Sequence, residues 1–284
     1  MNSMLFRIMP LIRRWLTGGY RYPALDITLG ARRLHLVGTV HMGTPDMAPL
    51  PAALLHHLAR ADALLVEADL TRAKSPFSDV PSSQGNLSGL TEVQQTMLQR
   101  RCNEAGIATE VYQHRVAWQI ALMLQAQQAW QLGLRPHYGI EQQLLDALPR
   151  YGTPLIELEG GEAQLALLKE LPDDGLPLLQ DTLEQWQPNA RLLQMMVSWW
   201  LGSPPVAGEK SLTSTFSHDL NNVLMQERNQ RWCQIISQLP AGRYVVAVGA
   251  LHLYCEQSLP QLLRHNMQGR DAFHSAVIHC DIVQ

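Results

Sequence analysis

The stretch from Leu34 to Asp69 constrains the fold more than any other part of the chain. It reads LHLVGTVHMGTPDMAPLPAALLHHLARADALLVEAD. An apolar run, Leu34-His35-Leu36-Val37, ends in Gly38-Thr39-Val40-His41. The pattern after it predicts a helix from Pro49 to Arg60, with Leu54, Leu55 and Leu58 on one side. A second apolar run, Ala63 to Val66, ends in Glu67. Strand, helix and strand in so short a span make a βαβ unit, with parallel strands and a right-handed crossover. Ligands in such sheets sit at the carboxyl ends of the strands. His41 and Glu67 are expected at that edge, on neighbouring strands.

The same arrangement returns late in the chain. Arg243 to Val248 is a β-rich run that ends in Gly249-Ala250-Leu251-His252, with a helical stretch from Ser258 to His265. G-x-x-H thus closes an apolar strand twice, at Gly38–His41 and Gly249–His252. The glycine permits a tight turn or a close backbone approach at a strand end. The histidine is then expected on a loop over the sheet edge. Two core or capping histidines would give the same pattern, and residue types alone leave both readings open.

Between these two segments the chain alternates strands and helices. Ala24 to Gly30 is expected to form a hairpin with Arg32 to Val40, turning the odd positions Leu25, Ile27 and Leu29 inward. Strands are expected over 34–40, 63–67, 153–158 and 243–249. After Asp69 comes a polar loop of about 20 residues, the length of a flap over a site. Thr91 and Gln94 make a capping box, and Val116 to Leu132 is a second helix, so about 91–135 reads as a helical insertion. Further helices are expected from Gly139, from Gln164 to Leu171, and from Pro172 to Leu201. The pair Trp199-Trp200 reads as core or groove wall. Asp219 to Leu239 is amphipathic, with the stripe Leu220, Leu224, Ile235 and Leu239 interrupted by Arg228. A charge on an apolar stripe is costly unless it is paired. Arg228 is therefore either a residue with a buried stem and an exposed head, or a guanidinium aimed at carboxylates.

Composition narrows the function classes. The net charge of −3 and the isolated basic pairs argue against nucleic acid as a partner. Hydrophobic residues make up 46 % of the 284 residues, enough for a sizeable core. The whole chain, 1–284, is read as one α/β domain with residues 1–23 as a surface segment. The cysteines at 102, 233, 255 and 280 form no C-x-x-C pair, which fits reduced thiols and a cytoplasmic protein. In residues 1–16 Arg7, Pro10 and Arg13-Arg14 break a secretory pattern, leaving a surface helix with possible peripheral contact to a membrane. No H-E-x-x-H, G-x-S-x-G, Walker loop or dinucleotide fingerprint is present.

The segments GTVHMG, VEAD, YGIEQQLL, IELEG, QERN and VAVGALH, in that order, resemble the TraB/GumN (PrgY) family. That family is related to the TIKI metalloproteases. The resemblance implies a mixed, largely parallel α/β sheet built from two G-x-x-H strand–helix halves, and a metal-dependent hydrolase site. It also favours the reading of Arg228 as aimed into that site. If His41, Glu67 and His252 converge, two imidazoles and a carboxylate make a divalent-metal set (Mn, Co or Zn) with water in the open position. Glu159, after another strand, would be a further ligand or a general base. Arg228 would hold a substrate carboxylate or an oxyanion. Asp69 is read as a loop cap, and Glu141 and Glu162 as acids favoured at helix starts. Two functions follow: a hydrolase of peptide bonds, or a non-catalytic binder of peptides or small ligands.

Overall fold

The computed structural model describes residues 19–69, 71–72, 75–78, 87–205, 216–254 and 257–266. The expected N-terminal surface helix, most of the flap, Cys255, Cys280 and the late histidines His274 and His279 lie outside the described residues.

The chain opens with a hairpin. Strand β1 (Ala24–Leu29) pairs antiparallel with β2 (Arg32–Thr39), Leu29 opposite Arg32. Gly30 takes the turn at φ +57°, a left-handed value that suits glycine. The burial of β1 alternates as its sequence does, with Asp26 and Thr28 outward. Helix α1 (Ala52–Ala59) follows and buries Leu54 and Leu58, and β3 (Ala63–Val66) is fully buried. Helices α2 (Glu92–Glu104), α3 (Thr109–Gln113) and α4 (Ala117–Gln131) come next. Thr91 Oγ1 accepts from Gln94 N while Gln94 Oε1 accepts from Thr91 N, the expected capping box. Then come α5 (Ile140–Tyr151), β4 (Leu155–Glu157), α6 (Gly161–Lys169), α7 (Pro172–Glu184) and α8 (Trp186–Trp200). The last described stretch holds α9 (His218–Asn221), a π-turn (Asn222–Gln226) and α10 (Glu227–Gln238). After these come β5 (Gly242–Gly249), α11 (Ala250–Tyr254) and a helix over 259–266.

The five strands form one sheet in the order β1-β2-β5-β3-β4, parallel except for β1. The expected mixed, largely parallel α/β fold is therefore observed. The expected adjacency of β2 and β3 is not, because β5 lies between them and pairs with both. A strand from the far end of the chain is thus the centre of the sheet. One face packs Leu34, Leu36, Val246 and Val248 against Trp232, Cys233 and Ile236 of α10. The other packs Val37, Leu64, Val66 and Ala247 against Leu54 and Leu58 of α1 and Ile140 of α5. Burying one such aliphatic side chain contributes about 1.5–3 kcal/mol. The helices α2, α4 and α7 form a separate apolar cluster beyond the carboxyl edge, through Leu98, Ile120, Leu124, Leu179 and Leu183.

Some elements differ from expectation for local reasons. The span from Pro172 to Leu201 is two helices, and Asp173, Asp174 and Gly175 have positive φ. In α10 the buried residues are Trp232, Cys233 and Ile236, while Ile235 is exposed. The π-turn inserts one extra residue, so a stripe counted at helical spacing from Leu224 arrives one position early. Trp199 and Trp200 are core, as expected, and Trp200 Nε1 donates to the carbonyl of Gly38 at 3.1 Å.

Candidate functional site

The carboxyl edge of the sheet is where both G-x-x-H segments end. Thr39 of β2 is in register with Gly249 of β5, so the two motifs leave the sheet side by side. Each glycine is needed for a close approach. A Cβ at Gly38 would sit 3.1 Å from Ala250 Cα, and one at Gly249 would sit 3.2 Å from Glu67 Oε1. The first lets α11 lie against β2, and the second leaves room for a carboxylate.

Glu67 follows β3 and is buried. Its Oε1 accepts from Gly249 N at 2.7 Å, and its Oε2 from Arg228 Nη2 at 2.5 Å and Gln164 Nε2 at 3.3 Å. Glu159 is brought beside it by backbone bonds, since Glu159 N and Gly160 N both donate to Glu67 O at 3.1 Å. Arg228, on the first turn of α10, reaches between the two acids. Its Nε donates to both Glu159 oxygens at 3.1 Å and its Nη2 also bonds Glu159 Oε1. Nη1 donates to Leu224 O at 3.2 Å and faces His252 Nε2 at 3.3 Å. All five N–H groups of the guanidinium are therefore committed within the chain. Arg228 is a positioning residue that organises carboxylates and has no donor left over for a substrate. Its guanidinium also lies over the Trp232 ring, 4.7 Å from the centroid.

His252 is 4 % exposed and lies on the one-turn helix α11, where a loop was expected. Its Nδ1 meets Asn229 Oδ1 at 2.8 Å, while Asn229 Nδ2 donates to Gln257 O. That orientation of the amide puts the proton on Nδ1 and leaves the lone pair on Nε2. Burial lowers the imidazole to about 4, outweighing the pull of Glu67, so the ring is neutral at pH 7. Glu67 is held down at about 2: burial pushes it up, but Arg228, His252, His41 and the Gly249 N–H together prevail.

His41 sits on the bend after β2 with a side chain 58 % exposed. Its Nδ1 lies 3.4 Å from Glu141 Oε2 at the start of α5. The contact with Glu141 raises His41 to about 9 against the effect of burial, and water at the open face of the ring softens the effect. The backbone is tightly placed, since a Cβ at Gly139 would fall 2.3 Å from His41 O. Glu141 itself is pushed up by burial, with His41 pulling the other way. Asp69 is a loop cap, as expected: its Oδ1 accepts from Thr71 N and Thr71 Oγ1. Glu162 stands in the first turn of α6.

His41, Glu67, Arg228 and His252 line one cleft of about 700 Å³. Glu159 reaches that wall through Arg228 and Gln164, which donates to it at 3.0 Å. The five expected residues thus belong to one connected site. The metal set does not fit as arranged. The atoms of Glu67 and His252 that would hold a cation face Arg228 and Gly249 N, and His41 Nδ1 is turned to Glu141. Among the described residues no group of three or more His, Cys, Asp or Glu side chains is placed to hold a metal ion.

The sequence model of the TraB/PrgY/gumN family matches residues 25–266, a span that contains every residue of this cleft. The chain belongs to the TraB/PrgY/gumN family. It is 50 % identical over 263 residues to "Uncharacterized protein YbaP" of Escherichia coli (strain K12), covering 92 % of this chain and 100 % of that protein. A YbaP of Shigella flexneri matches to the same extent. No solved structure matches. No helix among the described residues is long and apolar enough to cross a membrane.

Three contributors to this cleft escape the sequence reading. Asn229, beside Arg228, orients His252; Trp232 packs its ring 4.4 Å from that imidazole; and Gln164 bridges the two acids. On α10 Asn229 directly follows Arg228 and Trp232 stands one turn beyond it, which was the available signal for those two. Nothing in the sequence marks Gln164.

Proposed function

We propose that this chain is a hydrolase of a carboxylic amide or ester bond, peptide bonds being the first expectation from the family resemblance. The observation that carries the reading is one cleft holding two unlike histidines, His252 buried against Trp232 and held by Asn229, and His41 open to the cleft beside Glu141. A pair of titratable groups pushed apart by their surroundings supplies a base and an acid at one pH. In this reading water enters beside His252, and competes with Arg228 Nη1 for the Nε2 lone pair. The water oxygen bonds to the carbonyl carbon as its proton passes to Nε2. His41 stabilises the oxyanion and then protonates the leaving nitrogen or oxygen as the C–N or C–O bond breaks. Glu141, with Glu67 behind it, keeps His41 charged, while Arg228 holds Glu67 and Glu159 in place. Asn229 fixes the His252 tautomer.

A divalent ion remains the family-based expectation, and its test is metal content and chelator sensitivity of the purified chain. The main experiment is turnover of peptide and ester libraries by wild type, His41→Ala and His252→Ala, with and without Mn, Co or Zn. Turnover lost in both variants supports the reading; no turnover by wild type under any condition sinks it. One observation favours the non-catalytic alternative: Arg228 and both its carboxylates already have partners within the chain. A binder needs only the cleft, and would bind ligand equally well in His252→Ala. Buried free thiols at Cys102 and Cys233 support the expectation of a cytoplasmic, reducing setting.

A further inference from the structure

The cleft has two unlike parts. Its charged groups sit at the sheet edge, and the rest of its wall is mostly aliphatic, with Leu122, Leu168, Leu192, Met196 and Leu224 facing the space beside Phe216 and Ser75, Gln125, Gln128 and Asn189 set among them. At about 700 Å³ it is far larger than the charged end needs. A bound peptide main chain would present an N–H and a C=O at every residue, each needing a partner once buried. The walls offer little for this. Gln125 gives its Nε2 to Thr182 Oγ1 at 2.9 Å, Gln128 to Trp186 O at 2.8 Å, and Gln164 to Glu159. The sheet meets the cleft at strand ends, and its edge strands β1 and β4 contribute no residue to the lining, so no strand is offered for pairing. At the charged end, by contrast, one group lacks a partner. Thr39 is 2 % exposed, lines the cleft, and its Oγ1 makes no hydrogen bond among the described residues.

We propose that the aliphatic arm of the cleft holds a long acyl chain, with the carbonyl head at Thr39 and His41, so that the compound this site takes is a fatty-acyl amide or ester. The proposal rests on the hydrolase reading for the reaction but not for the binding. A chain of methylenes asks for no hydrogen bonds, and each one buried contributes about fourfold in affinity. Hydrolysis would release the fatty acid, carrying the oxygen from water, and the amine or alcohol.

The test is calorimetric titration of the full chain with palmitate, octanoate and an apolar peptide of leucine and valine. Turnover of a palmitoyl ester is measured in parallel. The expected result is saturable, one-to-one binding of palmitate, at least about a hundredfold tighter than octanoate. Ala126→Trp places a ring in the exposed wall of α4, and Leu168→Asp puts a charge in the arm from α6. Each should weaken palmitate by at least about tenfold while leaving the thermal melt in place. If the peptide binds and palmitate does not, or if affinity is indifferent to chain length, the acyl-chain proposal is overturned and the hydrolase reading stands. If palmitate binds as expected but no ester or amide is cleaved, the hydrolase reading fails and the acyl ligand stands.

Discussion

The two G-x-x-H corners share a motif and differ in almost everything around it. At Gly38–His41 the imidazole is open to the cleft, beside one buried acid, and stays protonated up to about 9. At Gly249–His252 the imidazole is buried against Trp232, held by Asn229 and neutral down to about 4. A glycine three residues before a histidine brings the ring to the sheet edge at both corners; the neighbouring helix decides what it becomes there. At the first corner that helix is α5, which presents Glu141. At the second it is α10, which presents Arg228, Asn229 and Trp232.

The strongest way to break the comparison is to remove what holds the second corner together. Arg228→Ala leaves Glu67 and Glu159 as neighbouring carboxylates in a buried setting, which should cost about 3–5 kcal/mol. Thermal and denaturant melts measure this, and Arg228→Lys should recover only part because an ammonium cannot span both acids. A melt unchanged in Arg228→Ala would mean that the acids are solvated and the cluster is not a buried one.

Next in size is the contrast between the two histidines. His252→Ala should destabilise by about 1–3 kcal/mol, since it empties a buried space against Trp232 and strands Asn229 Oδ1. His41→Ala should destabilise less than His252→Ala, because its ring is largely open to the cleft, while abolishing turnover. The burial of His252 on α11, where a loop was expected, is what sets the two apart. Equal melts for the two variants would erase the distinction drawn here.

Protonation sharpens the same contrast. His252 and Glu67 have depressed values, so the stability they contribute is present at neutral pH. It is lost as pH falls from the ordinary histidine range toward about 4, and then from the ordinary carboxylate range toward about 2. His41 has a raised value, so its contribution is complete below the ordinary histidine range and is lost as pH rises toward about 9. The catalytic reading predicts a rate profile that falls on the acid side as His252 is protonated and on the alkaline side as His41 is deprotonated. His41→Gln should remove the alkaline limb of whatever turnover remains. An alkaline limb that persists unchanged in His41→Gln would separate His41 from the chemistry.

The smallest effect is expected at the glycines. Gly249→Ala brings a methyl within 3.2 Å of Glu67 Oε1 and 3.6 Å of His252 Cδ2, contacts that a slight shift of two side chains relieves. Gly38→Ala meets the backbone of Ala250 at 3.1 Å, which is less able to move. Melts should therefore rank Gly38→Ala below Gly249→Ala, and the reverse order would reverse the assignment of which glycine serves packing.

The apolar runs, their terminal glycines and the period of the helices were legible in the residues, because burial on a strand or helix face imposes a local pattern. The expectation that His41, Glu67, Glu159, Arg228 and His252 share one cleft drew on the family resemblance, because spacing alone does not bring together two histidines so far apart in sequence. The π-turn before α10 was not legible, because a single inserted residue leaves composition and hydropathy unchanged. It shifted which residues of α10 are buried. The order of the strands was not legible either: pairing partners are chosen by the whole sheet, and β5, from the far end of the chain, displaced β3 from the side of β2.

The sequence by itself determined that an α/β sheet would form and that His41, Glu67, Glu159 and His252 would follow apolar strands. Only the tertiary structure decided what each would be. An imidazole or a guanidinium has the same chemistry at every position until its neighbours set its burial and its hydrogen-bond partners. Some of those neighbours are distant in sequence, as Arg228 is from Glu67 by 161 residues, and others are near, as Asn229 is to His252 by 23, and only the folded sheet brings both kinds to one edge.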